Sequence, residues 1–415
     1  MLKAKGLRTA AAGALVAAAG AVMGLIMIVG CGHSESPHGG VNSASASSRA
    51  YKGHTADADI INFGKAYPMA WGSRLDDCQT CHWGQTVTDN KGKDLMPNTC
   101  TYCHFIQNPI TGYTKLPTSF SQTLNPYGMA YLAAGRDVQA LVAIEGQDSD
   151  GDKATNLAEI LQDRYPGNPN SYPGLPLCPT QTVTLAELEA MPQITQFTLA
   201  NAERQQYDNY ATYTGVKIKD ILAAKHIPTG PTTSIDIMAP DLFKNTKPIT
   251  MDQINLQFPA HQFFPGLGQP NYDATCAFVE YPADTHGYAS GDYITDPQWH
   301  IIAYKREGAF LQPSYLNPVS GKIEGEGPFR NVMPPGNADP LLNQPDRGSK
   351  LAPGCPDVQW NYKSAKDHNA GQMVKGAVII KIYPMPTGCE EFDLVNGGWS
   401  LIDSESMVIY GHSVQ

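Results

Sequence analysis

Apolar residues recur along the chain with two different periods, and the period changes with position. Between residues 137 and 145 they recur every three to four positions, which predicts a helix that ends at Gly146. Beyond residue 180, two segments have helical spacing, 183–191 and 217–225. Between and after them, short runs rich in β-branched and aromatic residues predict strands at 194–199, 234–238, 277–281, 300–304, 377–382 and 407–410. The C-terminal part is therefore predicted to be a sheet-dominated α+β domain.

The first 50 residues predict an export signal followed by a tether. Three basic residues among the first eight precede an apolar run at 10–29, so residues 1–30 have the pattern of a signal peptide. Small residues before Cys31 resemble the bacterial lipobox, in which the cysteine is lipidated. The alternative is an uncleaved transmembrane anchor, because the apolar run is about long enough to span a bilayer. Residues 31–50, rich in Ser, Gly and Ala, are predicted to form the lipidated flexible tether.

Composition and charge narrow the function classes. The chain has 415 residues, which is comfortable for two domains, and it is 42% hydrophobic and 16% charged, with 39 Gly and 32 Pro. These values predict a globular, loop-rich protein. The formal net charge is −10, and cleavage before Cys31, which removes three basic and no acidic residues, takes it to −13. This acidity argues against a nucleic-acid partner and favours cationic or metal-bearing partners.

Two Cys-x-x-Cys-His motifs lie close together and point to covalently bound haem. In this motif the two thiols attach the haem and the adjacent imidazole ligates its iron. The alternatives are a zinc site made of two Cys-x-x-Cys pairs and a disulfide within each pair, but both pairs carry the immediate histidine and follow an export signal. The motifs therefore predict two haem c groups, held by Cys78, Cys81 and His82 and by Cys100, Cys103 and His104.

Each haem iron needs either a second axial ligand or an open face. His54 lies in a polar stretch with no apolar face to join, so we interpret it as a candidate axial ligand. Methionines near the motifs are more typical of apolar gap-filling. A bis-histidine iron has a lower potential than a His/Met iron, and the sequence leaves this choice open. The other nearby candidates are His33, His38, Met69, Met96 and Met129.

An aspartate-rich segment has the ligand spacing of an EF-hand-type calcium loop. Counting Asp148 as position 1, side chains with oxygen stand at positions 1, 3, 5, 9 and 12, and position 7 offers a carbonyl. Position 6 is Lys153 where glycine is usual, and a left-handed conformation there costs on the order of 1 kcal/mol. The alternative is an acidic turn that caps a helix at 156–164. The predicted calcium ligands are Asp148, Asp150, Asp152, Ala154, Asn156 and Glu159.

Residues 51–176 resemble the low-haem-count c-type cytochromes of metal-reducing delta-proteobacteria. The resemblance rests on both haem motifs, the aspartate loop, Leu-Asn-Pro-Tyr-Gly at 124–128 and Ala-Gly-Arg at 134–136. It implies a small, mainly helical dihaem domain at 51–180. The residues at 166–179, rich in Pro, Gly and Asn, independently predict a linker. The resemblance also implies an outer-membrane lipoprotein on the periplasmic or cell-surface side, whose partners are multihaem cytochromes or an outer-membrane conduit.

The C-terminal domain, residues 181–415, is similar over most of residues 181–390 to the molybdopterin-binding domain of the sulfite oxidase fold. The similarity rests on the order of Tyr-Thr-Gly-Val at 213–216, Ser-Ile-Asp-Ile-Met at 234–238 and Gly-Glu-Gly-Pro-Phe-Arg at 325–330. That family holds molybdenum with a cysteine upstream of the helix that follows Gly215, and no cysteine lies between Ile194 and Thr214. We therefore expect this fold without the molybdenum cofactor, as a docking or scaffold module.

The remaining cysteines and histidines suggest structural roles. Four cysteines outside the cytoplasm allow two disulfides in any of three pairings, and the sequence leaves the pairing open. These are Cys178, Cys276, Cys355 and Cys389. The scattered histidines of the C-terminal part are predicted to be hydrogen-bonded structural residues: His261, His286, His300, His368 and His412.

These features together predict an electron carrier in which the haem supplies the redox chemistry. The predicted function is single-electron transfer between partner cytochromes or toward an extracellular acceptor at the outer membrane. An enzyme is the alternative, either a molybdenum-dependent oxidoreductase with the haems as its electron outlet or a haem peroxidase.

Overall fold

The structure is a computed structural model, and its described residues form part of one compact unit. They are mixed α+β and sheet-dominated, with several sheets and few helices, so the predicted α+β fold class is confirmed. No helix built from them is long and apolar enough to cross a membrane. The structure describes residues 58–83, 85–90, 92, 94–97, 99–106, 111–202, 208–263, 279–289, 291–317, 322–345, 365–394 and 396–412.

The helices are short, and most begin at a side chain that caps them. Asp137, Thr155 and Thr184, for example, each accept a hydrogen bond from a backbone N–H of the first turn that follows. In chain order the helices are α1 (Ala58–Ala66), α2 (Thr99–His104), α3 (Pro126–Ala133), α4 (Val138–Ala143), α5 (Asn156–Leu161), α6 (Leu185–Ala190), α7 (Ile218–Ala224), α8 (Met251–Asn255) and α9 (Asn396–Asp403).

The strands of the N-terminal part form one small sheet, in the order β2-β1-β3. The strands are β1 (Val87–Asp89), β2 (Asp94–Leu95), β3 (Tyr113–Thr114), β4 (Thr180–Thr184), β5 (Gln193–Ala200), β6 (Asp208–Lys217), β7 (Ser234–Met238), β8 (Ile249–Thr250), β9 (Gln257–Phe258), β10 (His261–Gln262), β11 (Val279–Glu280), β12 (Tyr293–Ile294), β13 (Gln298–Trp299), β14 (Ile301–Arg306), β15 (Ala309–Phe310), β16 (Tyr315–Asn317), β17 (Lys322–Glu324), β18 (Arg330–Val332), β19 (Ile379–Tyr383) and β20 (Ser406–Tyr410).

A five-stranded sheet, in the order β4-β20-β19-β7-β8, carries the largest hydrophobic core. Side chains from α6, α7, α8 and α9 join this core, and every residue of β20 is buried. A strand buried to this extent is expected to be a continuous apolar run rather than an alternating one. The sequence at 407–410 has this character, which is why a strand was predicted there.

A six-stranded sheet lies around β6 and β14. Its main path is β11-β6-β14-β15, with β5 added to β6 and β18 added to β14. Gly215 of β6 packs so closely on β14 that an added Cβ would lie 2.1 Å from the carbonyl oxygen of Ile302. Only glycine permits this approach, and the register between the two strands shifts nearby, between Ala303 and Lys305.

The segment at 183–191 was predicted to be helical throughout, and for its first two residues that prediction is wrong. Val183 is buried in β4, where it pairs with Met407 of β20. Helix α6 begins only after Thr184, whose side chain forms a reciprocal capping box with Glu187. Pairing with a distant strand therefore overrides the local helical spacing.

A separate core holds the N-terminal part together, and tyrosine is prominent in it. Helices α1, α3, α4 and α5 contribute to it, and its buried members are Phe63, Tyr67, Ala70, Leu75, Tyr127, Tyr131, Ala140, Leu141, Ile144, Ile160 and Tyr165. This core lies under the first Cys-x-x-Cys-His motif, because Cys81 is partly buried against it. This core therefore packs against the predicted haem-attachment site.

The segment at 166–179, predicted as a linker, has no helix or extended strand but is anchored at several points. Ser171 is buried and accepts a hydrogen bond from the backbone N–H of Tyr165. At its end, Cys178 forms a disulfide with Cys389, 211 residues away. The structure thus selects one pairing that the sequence left open, while Cys276 and Cys355 lie outside the described residues.

Candidate functional site

The first Cys-x-x-Cys-His motif is folded into a single tight turn. A short 3-10 helix spans Cys78–Thr80, and the side chain of Asp77 caps it by accepting from the N–H of Gln79 at 2.9 Å. The N–H groups of Cys81 and His82 both donate to the carbonyl of Cys78, at 3.1 and 2.9 Å. This turn keeps both cysteines and the histidine close together, as thioether attachment and axial ligation of one haem require. The residues present therefore fit a haem c.

A short antiparallel bridge holds this turn against the segment before α3. His82 pairs with Leu124, the N–H of Trp83 donates to the carbonyl of Thr123, and the N–H of Asn125 donates to the carbonyl of Cys81, each donation at 2.9 Å. These backbone bonds fix the start of α3 relative to the motif. The segment 124–128, which contributed to the family resemblance, therefore lies directly against the first motif.

The side chain of Asn125 adds further hydrogen bonds between the motif and the start of α3. Its amide donates to the carbonyls of Gln79 and Thr80, at 2.9 and 3.1 Å, and its oxygen accepts from the N–H of Gly128 at 2.8 Å as the cap of α3. A Cβ at Gly128 would lie 2.1 Å from the carbonyl oxygen of Cys81. Asparagine and glycine are thus the residue types that let α3 pack directly on the turn.

A hydrogen bond orients the His82 imidazole. Its Nδ1 lies 2.9 Å from the hydroxyl of Thr123, and its ring packs edge-on against Phe120 at 5.2 Å between centroids. Metal-bound histidines usually make such a bond with the ring nitrogen that does not bind the metal. The arrangement therefore suits ligation through Nε2.

The second motif lies on helix α2, Thr99–His104. The Cys103 sulfur lies 3.8 Å from the hydroxyl of Thr123. The side chains of Cys100 and His104 are outside the described part of the structure.

Of the candidate second axial ligands, the described part of the chain includes the three methionines but none of the three histidines. His54, His33 and His38 lie outside the described residues. Met69 and Met129 are exposed, at 56% and 44%, and the carbonyl of Met96 accepts a hydrogen bond from the indole N–H of Trp399 at 3.3 Å. The distal ligands therefore stay predictions.

The aspartate loop draws its carboxylates together as a cation site would require. One oxygen each from Asp148, Asp150 and Asp152 lies within 4.8 Å of the others. Glu159 is fully buried, and neither of its carboxylate oxygens has a hydrogen-bond partner. One buried oxygen each of Asp150 and Asp152 is likewise without a partner. Unpartnered buried carboxylate oxygens are costly, and a bound Ca²⁺ would satisfy them.

The pKa values of two carboxyl groups in this loop are raised, as expected for carboxylates that are buried close together. Burial, together with the charges of the three aspartates, raises the pKa of Glu159 to about 9. Burial, with the charges of Asp152 and Asp148, raises the pKa of Asp150 to about 6. A cation bound among these groups would favour their ionised forms.

The loop backbone is already shaped around the site. Lys153 has φ 86°, so position 6 has the left-handed conformation that its place in the loop predicted. Asp148 accepts from the N–H groups of Gly151 and Lys153, at 2.7 and 2.9 Å. These bonds stabilise the turn.

The side chain of Asn156 stabilises the loop through two hydrogen bonds. This side chain is fully buried, its oxygen accepts from the N–H of Ser149 at 3.1 Å, and its amide donates to the carbonyl of Ile144 at 2.7 Å. The predicted ligand at position 9 therefore also ties the loop to the end of α4. The role of the Ala154 carbonyl as a ligand stays a prediction.

A buried ion pair that the sequence did not reveal lies beside the first motif. Arg74 contacts Glu390 at 2.5 Å between Nη2 and Oε1, with both side chains about 95% buried, and Arg164 lies 3.6 Å from the other oxygen of Glu390. The Arg74 guanidinium also stacks over the ring of Tyr165 at 4.2 Å. Because Glu390 is 316 residues from Arg74, no local signal could have predicted this contact.

The cap of the first motif, Asp77, is half-buried close to this ion pair. Burial, followed by the charges of Asp393 and Asp76, raises the pKa of Asp77 to about 7. The ionisation of Asp77 therefore depends on nearby carboxylates, one of which, Asp393, belongs to the C-terminal part of the chain.

Of the C-terminal histidines, His261, His300 and His412 are buried, His368 is half-buried and His286 is exposed. His300 contacts the side chain of Asn331 at 2.5 Å and His286 contacts Thr212 at 2.7 Å, as predicted. For His261 the prediction is wrong, because the residue is fully buried and neither ring nitrogen has a partner. Burial accordingly lowers the pKa of His261 to about 3 and that of His300 to about 4.

Comparison with known proteins leaves the family open. No protein-family model, no curated protein and no solved structure matches the chain.

Proposed function

We propose that this protein is a dihaem c-type cytochrome that transfers single electrons between partner cytochromes or toward an extracellular acceptor. The observation that carries the proposal is the approach of the two Cys-x-x-Cys-His motifs to one buried side chain. The Thr123 hydroxyl lies 2.9 Å from His82 Nδ1 and 3.8 Å from Cys103 Sγ. Two attachment motifs that share a contact suit electron exchange between the groups they hold.

In this proposal a bound haem c supplies reversible one-electron chemistry at its iron. The chain supplies attachment and orientation. Cys78 and Cys81 tether one group and His82 ligates it, while Cys100, Cys103 and His104 do the same for the other, and His54 is a proposed distal ligand. Asn125 and Gly128 keep the first turn in place, through the contacts described above.

The aspartate loop is proposed to bind one Ca²⁺ with a structural role. The unpartnered oxygens of Glu159, Asp150 and Asp152 support this assignment. The loop connects α4 to α5, and both helices contribute to the core beneath the first motif. A bound cation would therefore stabilise the support of that motif.

We further propose that residues 181–415 form a sulfite oxidase-like scaffold without a molybdenum cofactor. Strand β6 leads directly into α7 in the order that this fold requires, and no cysteine lies between Ile194 and Thr214. Cys178 and Cys389 are joined to each other, which leaves neither as a thiolate ligand. The proposed role is docking of multihaem cytochromes or an outer-membrane conduit, with lipid on Cys31 as the membrane anchor and no nucleic-acid partner.

The test is metal content of the purified full-length lipoprotein, iron and molybdenum together, with a reduced-minus-oxidised spectrum. We expect about two irons per chain, a c-type spectrum and no molybdenum. Replacing Cys78 and Cys81 by Ala should halve the haem content. The matched control is the pair Cys178→Ser and Cys389→Ser, which removes two cysteines outside the motifs and should leave two haems.

Two results would overturn the proposal. Chains that lack covalent haem when produced in a host that matures c-type cytochromes would exclude a cytochrome. Stoichiometric molybdenum would make the protein an oxidoreductase.

A further inference from the structure

Thr123 occupies a position between the two motifs that its place in the sequence does not suggest. It ends the short 3-10 helix Phe120–Thr123, 41 residues after His82, and its side chain is fully buried. Its hydroxyl is 2.9 Å from Nδ1 of His82 and 3.8 Å from Sγ of Cys103. One hydroxyl thus contacts an iron ligand of one motif and an attachment sulfur of the other.

The hydrogen bonds of this hydroxyl fix which group donates. A threonine hydroxyl has one proton, and here it is donated to the carbonyl of Phe120 at 2.7 Å. Toward His82 the same oxygen then accepts, and on this pattern we assign the imidazole proton to Nδ1. That tautomer presents the lone pair of Nε2 to a metal.

We propose that Thr123 is a positioning residue that sets the reduction potential of the haem held by His82 and couples the orientation of the two attachment motifs. The inference rests on the proposed function and deepens it. An acceptor at Nδ1 makes an imidazole a stronger donor to its metal, and a stronger donor favours the ferric state. The Thr123 hydroxyl should therefore lower the potential of this haem.

The coupling to the second motif follows from the same geometry. The Thr123 carbonyl accepts from the N–H of Trp83, so the residue is fixed to the first motif through its main chain as well. Its contact with Cys103 then ties α2 to that fixed point. A rotation of either motif would have to break a contact of this one buried residue.

A purely structural role is the competing explanation, since the Thr123 hydroxyl also bonds to the carbonyl three residues earlier in its own turn. That role predicts a loss of stability when the hydroxyl is removed, but no change in potential. The reduction potential separates the two explanations.

The experiment is a spectroelectrochemical titration of the haem-loaded full-length protein and three variants. Thr123→Val removes the acceptor at nearly constant volume. It should raise one of the two midpoint potentials by on the order of a tenfold change in the ferric-to-ferrous ratio, about 59 mV for one electron. Thr123→Ser keeps the hydroxyl and should restore the wild-type potential.

Thr88→Val is the matched control. Thr88 is also a buried threonine in the N-terminal part, and its hydroxyl donates to Asp94 at 2.7 Å instead of contacting a haem motif. This variant should leave both potentials unchanged. If Thr123→Val fails to mature, Thr123→Ala removes the same hydroxyl without placing a methyl group against His82.

Two outcomes would overturn the inference. The first is unshifted potentials in a Thr123→Val or Thr123→Ala protein that carries both haems. The second is an equal shift in Thr123→Ser, which would show that the hydroxyl is not responsible. Either result would leave the dihaem proposal standing, whereas a wild-type protein without covalent haem would overturn the proposed function itself.

Discussion

The N-terminal region, residues 58–177, and the C-terminal region, residues 178–412, are stabilised in different ways. The C-terminal region has the largest core, formed mainly by aliphatic side chains from a five-stranded sheet and four helices. The N-terminal region has smaller cores and gathers carboxylates that have unpartnered buried oxygens. The comparison indicates that the C-terminal region is stabilised mainly by its own apolar core, whereas the N-terminal region would gain stability from the haem and calcium proposed to bind there.

The largest expected effect lies where the two regions meet. Glu390→Ala should lower the free energy of unfolding by about 3–5 kcal/mol, because it leaves the Arg74 and Arg164 guanidinium groups buried without their carboxylate. In chemical denaturation, haem absorbance reports on the N-terminal region, and far-ultraviolet circular dichroism reports mainly on the larger sheets of the C-terminal region. We expect coincident transitions in the wild type and separated ones in the variant.

The neighbouring Glu391→Ala is its control. Glu391 pairs with Lys381 at 2.7 Å but is half exposed, so its loss should cost at most about 1 kcal/mol. Equal losses in the two variants would mean that the buried pair does not join the regions.

The second effect tests the dependence of the N-terminal region on a cation. Calcium at one hundred times its dissociation constant should stabilise the wild type by about 2.7 kcal/mol, and Glu159→Gln should abolish most of this gain. Without calcium the variant should be no less stable than the wild type, because Glu159 is buried among three other carboxylates. Thermal unfolding with calcium and with chelator measures both.

The exposed Glu189→Gln variant controls for the loss of a negative charge elsewhere. A calcium response that survives in Glu159→Gln would contradict the proposed ligand set.

The smallest expected effect is a pH-dependent change in the folding stability of the C-terminal region. Burial lowers the pKa of His261 to about 3, whereas an unfolded histidine titrates near 6.5, so the unfolded chain binds the proton first. The stabilising effect of the neutral His261 is present above pH 6.5 and is lost as the pH falls toward 3. At pH 5 the loss is about 2 kcal/mol.

His261→Leu removes this titration. The stability of the variant relative to the wild type should increase between pH 7 and pH 5, as measured by urea denaturation at each pH. Parallel pH profiles for the two proteins would show that His261 is not buried in solution. His300 remains in both proteins, so its own contribution cancels in the difference.

Local patterns predicted several elements well. The strand at 234–238 has the predicted bounds, and the predicted helix at 137–145 appears as α4, capped by Asp137. The left-handed Lys153 followed from its position in the loop. In each case the deciding interactions lie within a few residues along the chain, so the sequence contains them.

The sequence by itself determined the chemistry that the chain offers: two cysteine–histidine motifs and one aspartate loop, each defined by spacing within a single turn or loop. Only the tertiary structure decided which distant groups complete them. It placed the hydroxyl of Thr123 at His82, paired Cys178 with Cys389 and buried Glu390 beside Arg74. The physical reason is that these contacts join residues 41 to 316 positions apart, and such pairs form only when separately folded elements pack together.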